Sequence, residues 1–209
     1  MFGDGSLTFR EFAMREPHPI AVIQDAVLEF LRDRDDMVLF GAQAVNAYVS
    51  VSRLTEDVDL MSTRALELAE ELRGYLNKKF HIAVSVRTVR EGLGYRVYQV
   101  RKPENRHLVD VRPVESLPPA KRVNRILVVT PPELIAGKVS AWVRRRMKPK
   151  SGSDWRDLAM LLLTFPELKA EQGPVAERLR EAGATPDIIA AWKELVAQEI
   201  LPEEEDDKF

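Results

Sequence analysis

Asp57 and Asp59 stand one residue apart in Glu56-Asp57-Val58-Asp59-Leu60, and a third carboxylate, Asp110, interrupts the apolar run Leu108-Val109-Asp110-Val111. Side chains alternate along a strand, so Asp57 and Asp59 point to one face while Val58 and Leu60 point into a core. Two adjacent carboxylates on one face repel each other until a cation neutralises them. A hard divalent ion with oxygen ligands, such as Mg²⁺, suits the pair. Asp110 completes a set for two ions, which in such sites lie about 3.5–4 Å apart and clamp the attacking and leaving oxygens. Each piece alone has a plainer explanation. Asp-x-Asp is a weak motif, and Asp110 can be an edge-strand charge facing water. The combination with a glycine turn upstream, at Gly41, is much harder to reach by accident.

These residues need elements to hold them. Ile20, Ile23, Val27, Phe30 and Leu31 recur at helical spacing and predict a helix over 20–31. The apolar run 37–40 predicts a buried strand ending at Gly41, and small residues over 42–48 a helix packed behind it. A polar loop, 50–56, precedes the Asp-x-Asp strand, 57–61. A helix over 63–79 follows, and then 81–90, 95–101 and 108–114 read as an antiparallel meander with a turn at the two glycines of 91–94. Residues 118–122 read as loop and 126–130 as a last strand. Past Pro131-Pro132 the pattern is helical throughout, over 133–147, 154–163, 174–181 and 186–199. The expectation is an α+β chain: a catalytic domain over 1–130, a helical domain over 131–201 and an acidic, frayed tail over 202–209.

Bulk properties narrow the class. The 209 residues are 45% hydrophobic, enough for a real core, and the formal charge of −2 gives no global basic field. There is no cysteine, which removes disulfides, thiolate metal sites and cysteine nucleophiles. The opening residues lack the apolar core of a signal peptide. No apolar run approaches the roughly 20 residues of a membrane span. A soluble cytoplasmic protein is expected.

The motifs together resemble the nucleotidyltransferase superfamily of the DNA polymerase β type, and within it the AbiEii branch of type IV toxin–antitoxin systems. The resemblance rests on Gly41-Ala42-Gln43-Ala44, Arg53-Leu54-Thr55-Glu56-Asp57-Val58-Asp59, Pro132-Glu133-Leu134 with Lys138, and Asp154-Trp155-Arg156-Asp157-Leu158. It spans roughly residues 37–163. Ala42 stands where the pattern usually has Gly or Ser, and Ser153 where it often has Arg. The resemblance implies a mixed β-sheet flanked by helices and followed by a helical bundle. It also implies transfer of a nucleoside monophosphate from a nucleoside triphosphate to an acceptor hydroxyl, with the tRNA 3′ end as acceptor and a cognate antitoxin as partner. In that frame Asp57, Asp59 and Asp110 hold the Mg²⁺ ions, Gly41 and Ala42 hold the outer phosphates, and Lys138 neutralises the leaving pyrophosphate. Arg53 and Asp157 would also contact the nucleotide. A small-molecule nucleotidyltransferase of the aminoglycoside type, or a non-catalytic nucleotide-binding module with this fold, are the rivals.

Several residues carry a second meaning. Lys138 can be a surface lysine snorkelling over its helix. Asp154 can be an N-cap and Asp157 a surface ion pair. Arg144, Arg145, Arg146, Lys148 and Lys150 put five positive charges into seven residues, either as a solvated face near a helix C-terminus or as a patch for RNA phosphates. His18, His81 and His107 are scattered, with no ligand spacing, and read as structural or exposed. Trp142, Trp155 and Trp192 fit helical core positions.

Overall fold

The computed structural model describes residues 18–89 and 92–202. The opening residues and the acidic tail beyond Pro202 lie outside the described residues. The chain divides between Val129 and Thr130 into two compact units. Among the described residues no helix is long and apolar enough to cross a membrane.

In the first unit, helix α1 (Ile20–Phe30) leads to strand β1 (Met37–Phe40), whose first three residues are buried. The short helix α2 (Gly41–Asn46) follows, then β2 (Val58–Ser62), α3 (Ala65–Phe80), and the strands β3 (Val84–Val89), β4 (Gly94–Gln99), β5 (Arg106–Pro113), β6 (Ala120–Val123) and β7 (Ile126–Val129). All seven strands form one sheet in the order β3-β4-β5-β2-β1-β7-β6. The sheet is mixed: β1 with β7 and β2 with β5 are parallel, and the other pairs antiparallel. Helix α3 lies against β2, β3, β4 and β5. Its stripe Ala65, Leu68, Ala69, Leu72 and Leu76 is buried, as are Val58, Leu60, Val97, Val109 and Val111 of the sheet. That one-sided burial fixes strand register, since a slip by one residue would turn every apolar side chain outward.

Three local departures from the sequence reading have physical causes. Helix α3 runs on to Phe80 and closes on His81 in the left-handed region (φ 53°), so β3 begins at Val84 rather than at 81. Asp57 lies just before β2 rather than within it. Residues 120–123, of which 120–122 were expected in a loop, pair with β7 through a two-residue turn whose central residues Asn124 and Arg125 both have positive φ (48° and 71°). Positive φ at both positions gives the turn whose twist suits a hairpin. The prolines before it and the exposed Lys121 and Arg122 disguised an edge strand.

The second unit is helical: α4 (Pro131–Arg144), α5 (Lys150–Thr164), α6 (Pro174–Glu181) and α7 (Pro186–Ala197), with α4 against the other three. The buried stripe of α4, Leu134, Ile135, Val139 and Val143, includes Lys138. An ammonium there must be paired, because an isolated buried charge is costly. Its Nζ lies 2.6 Å from Asp157 and 3.6 Å from Asp154, and Arg145 lies 2.7 Å from Asp154. Lys138 is therefore not a snorkelling surface lysine. Asp154 sits inside α5 and caps nothing, and Asp157 is fully buried rather than in a surface pair. Trp192 is buried, whereas Trp142 and Trp155 are half-buried with ring centroids 5.4 Å apart.

Removing one member of a buried ion pair strands the other. Asp157→Leu is expected to destabilise the chain by about 3–5 kcal/mol in denaturant unfolding, and adding Lys138→Met should restore most of it.

Candidate active site

Strand register brings the predicted carboxylates together. Asp59 on β2 is the direct partner of Asp110 on the parallel strand β5. Continuing the row, Asp110 faces Arg96 on β4, Arg96 faces Arg87 on β3, and Asp59 faces Phe40 on β1. Across five strands the row thus reads Arg, Arg, Asp, Asp, Phe. All five residues are half-buried or exposed, in contrast to their buried neighbours Val58, Leu60, Val97, Val109 and Val111. Arg87 lies over the Tyr98 ring (5.5 Å) and Arg112 over the Phe40 ring (4.8 Å), two cation–π contacts beside the acidic centre.

Asp110 is held on two sides. Arg96 grips it as a fork, Nε to Oδ1 and Nη2 to Oδ2, both 2.9 Å. His107 Nε2 lies 2.9 Å from Oδ1, and His107 Nδ1 lies 3.2 Å from Asp57 Oδ2. Burial pushes the Asp110 carboxyl up, but His107 and Arg96 outweigh it and hold it well below the usual carboxylate range. The pull is mutual. The hydrogen bond to Asp110 raises the Arg96 guanidinium above its ordinary value, against burial, and the charges of Asp110, Asp57 and Asp59 add to the rise. One cation thus feels all three carboxylates. Asp57, His107 and Asp110 each offer a ligand atom within 4.8 Å of the others.

His107 reaches this face because β5 carries a bulge. Val97 pairs with Val109, but the next residue, Tyr98, pairs with His107, so Leu108 is the extra residue. Simple alternation would put His107 opposite to Asp110, three positions on; the bulge turns it to the same face. Sequence spacing could not reveal that, and both His107 and Arg96 went unseen as parts of the site. Arg96 had a signal in principle: a charged residue in the half-buried strand β4, two positions from Tyr98.

The Asp-x-Asp turn is fixed from behind by buried amides. Gln43 on α2 donates to Thr55 Oγ1 (2.8 Å) and to Gln24 Oε1 on α1 (3.2 Å), and Gln24 donates to the Thr55 carbonyl (2.9 Å). Asn46 binds both backbone groups of Arg53, accepting from its N–H (3.1 Å) and donating to its carbonyl (2.8 Å). The Arg-x-Thr-x-Asp-x-Asp spacing therefore has a structural reason: Arg53 and Thr55 moor the loop that delivers Asp57. Gly41, at φ 73°, meets Asp59 so closely that an added Cβ would lie 2.1 Å from Oδ2. Ala42 is half-buried in α2. Lys138 and Asp157 belong to the helical unit, where they bind each other.

A family model matches residues 25–208, most of the chain: the nucleotidyl transferase AbiEii toxin of type IV toxin–antitoxin systems. The chain belongs to the AbiEii nucleotidyltransferase family. Solved structures with the same fold include JHP933 from Helicobacter pylori (TM-score 0.57, 16% identity, 94% of this chain and 84% of that one). A putative nucleotidyltransferase from H. pylori gives TM-score 0.53 at 13% identity, over 91% of this chain and 93% of its own. The Megavirus polyadenylate synthase gives TM-score 0.58 at 14% identity, over 75% of this chain, and this chain spans about a third of it (34%). No curated protein matches. For an AbiEii-family chain, the mixed sheet bearing an acidic centre and the helical unit after it are the expected α+β nucleotidyltransferase fold.

Gly41→Ala tests how tightly the glycine turn serves the site. A side chain at that φ costs about 1–3 kcal/mol, and the Asp59 carboxylate must move. Thermal unfolding should show a modest loss of stability, and transferase assays a much larger loss of activity. Equal, small losses in both would mean that the turn does not set the position of Asp59.

Proposed function

We propose that the chain moves a nucleoside monophosphate from a nucleoside triphosphate to a hydroxyl of RNA, with Asp57, Asp59 and Asp110 holding divalent cations, two Mg²⁺ ions in the simplest case. The observation that carries the reading is the in-register pair Asp59 and Asp110, with Asp57 joined to Asp110 through His107. The donor set fits a hard divalent cation, being oxygen-rich, half-exposed and concentrated in one patch of sheet. When bound, such ions neutralise phosphate charge and lower the barrier to displacement.

The chain's own residues supply position and charge. The acceptor oxygen attacks the α-phosphorus, the bond from that phosphorus to the bridging oxygen breaks, pyrophosphate departs, and the hydroxyl proton is lost to solvent or a nearby base. Asp110 can receive that proton, but His107 and Arg96 hold its carboxyl well below the usual carboxylate range against burial, which weakens it as a base. Its work is to be a fixed anion, oriented by Arg96. Ala42 N–H and the turn at Gly41 are suited to the outer phosphates, and Arg53 stands in the moored loop beside them. Lys138 and Asp157 remain proposed nucleotide contacts. Asp157→Asn, which keeps the shape of the pair, is expected to raise the KM for nucleotide.

An RNA acceptor is favoured by two basic features. Arg87 and Arg112, each over an aromatic ring, flank the acidic centre, which suits phosphates and stacked bases. In the helical unit Arg144, Arg146, Lys148 and Lys150 are exposed, while Arg145 is engaged by Asp154, and Arg146 lies 5.5 Å over the Trp142 ring. The family's toxin role makes a cognate antitoxin the proposed protein partner.

Incubation with each labelled nucleoside triphosphate, total RNA and Mg²⁺ is expected to label RNA. Asp57→Asn or Asp59→Asn should reduce labelling by about a hundredfold or more. Label on an aminoglycoside but not on RNA would replace the acceptor. Nucleotide binding unchanged by Asp57→Asn, with no transfer to any acceptor, would leave only a binding module. Expression of the wild type should arrest growth and Asp59→Asn should relieve it.

A further inference from the structure

Both ring nitrogens of His107 face carboxylate oxygens: Nδ1 toward Asp57 at 3.2 Å and Nε2 toward Asp110 at 2.9 Å. A neutral imidazole has one N–H and one lone pair. Two facing carboxylates are matched either by a second ring proton or by a cation seated between one nitrogen's lone pair and an oxygen. The two nitrogens are not equivalent. Nε2 is buried and makes no hydrogen bond despite its short distance to Asp110. Polar atoms buried in this way are rare and call for a partner.

The separation of Nε2 and Asp110 Oδ1 suits a shared ion. Adjacent ligands of an octahedral cation with bonds of about 2.1 Å stand roughly 3 Å apart. The other nitrogen then has the role usual in metal-bound histidines, donating its N–H to a carboxylate that fixes ring orientation. Asp57 is that carboxylate. Arg96 holds Asp110 from the opposite side as a fork and keeps its Oδ1 beside the ring.

We propose that His107 ligates the divalent ion through Nε2, alongside Asp110, and that Asp57 orients the ring. This rests on the metal-holding reading of the three aspartates and adds a nitrogen donor to it. An imidazole ligand shifts preference away from Mg²⁺, which favours all-oxygen sites and keeps its water, toward Mn²⁺ or a later first-row ion. The chain therefore binds Mn²⁺ more tightly than Mg²⁺ by a margin that depends on His107.

The test is Mn²⁺ titration of the whole chain followed by electron paramagnetic resonance, with pulsed measurements for nitrogen coupling. The wild type should bind Mn²⁺ and show a ¹⁴N coupling that changes to ¹⁵N in protein grown on ¹⁵N-histidine. His107→Gln should lose the coupling and bind Mn²⁺ about tenfold or more weakly, with Mg²⁺ affinity little changed. Because the isotope experiment uses the wild type, it stands even if the variant folds poorly. Mn²⁺ bound without histidine coupling, and lost in Asp57→Asn, would overturn the histidine ligand and leave the aspartate site intact. Failure of the wild type to bind Mn²⁺ or Mg²⁺, with or without nucleoside triphosphate, would overturn both.

Discussion

Asp59 and Asp110 set like charges side by side on neighbouring strands, and much of the structure around them answers that repulsion. Strands in a sheet lie about 5 Å apart, and two unit charges at that distance repel by about 3 kcal/mol at an effective dielectric constant near 20. Asp59 and Asp110 are held in that relation by the parallel pairing of β2 with β5, with Asp57 one step away. A repulsion of that size is a large share of the roughly 5–15 kcal/mol by which a domain is stable. The sheet therefore needs compensation: Arg96 supplies a permanent positive charge from the neighbouring strand β4, and His107, on β5 itself, sets its two ring nitrogens against Asp57 and Asp110. The surrounding architecture serves to keep the three carboxylates where they would not choose to be. The buried α3 stripe locks register, the Gln24–Gln43–Thr55 amides moor the loop, and Gly41 leaves room for the Asp59 carboxylate.

Much of that plan was legible in the residues. Asp57-Val58-Asp59 and Leu108-Val109-Asp110 announce themselves because a carboxylate in an apolar strand is out of place, and periodicity located most helices and strands. What stayed hidden depends on facts with no local signature. His107 joins the site only through a one-residue bulge, which reverses the parity that spacing arguments use. Strand β6 pairs through a turn in which Arg125 takes a positive φ, a conformation its side chain does not advertise. Lys138 looks like a surface residue by type. Only the packing of α4 against α5 places its ammonium inside, between Asp154 and Asp157.

The two pairings of aspartate with cation differ in kind. In the helical unit the pair is buried, Asp157 fully, and each member satisfies the other. On the sheet the carboxylates keep one exposed side, and their compensating groups come from a strand and a bulge rather than from a packed core. The open acidic patch on the sheet suits exchange with ions and phosphates.

The most direct measurement is a crystal structure of the chain soaked in Mn²⁺, with data collected to reveal the anomalous signal of that ion. A peak is expected within bonding distance of Asp110 and at least one of Asp57 and Asp59. A well-ordered sheet with no peak there, at a Mn²⁺ concentration that supports transfer in solution, would contradict it.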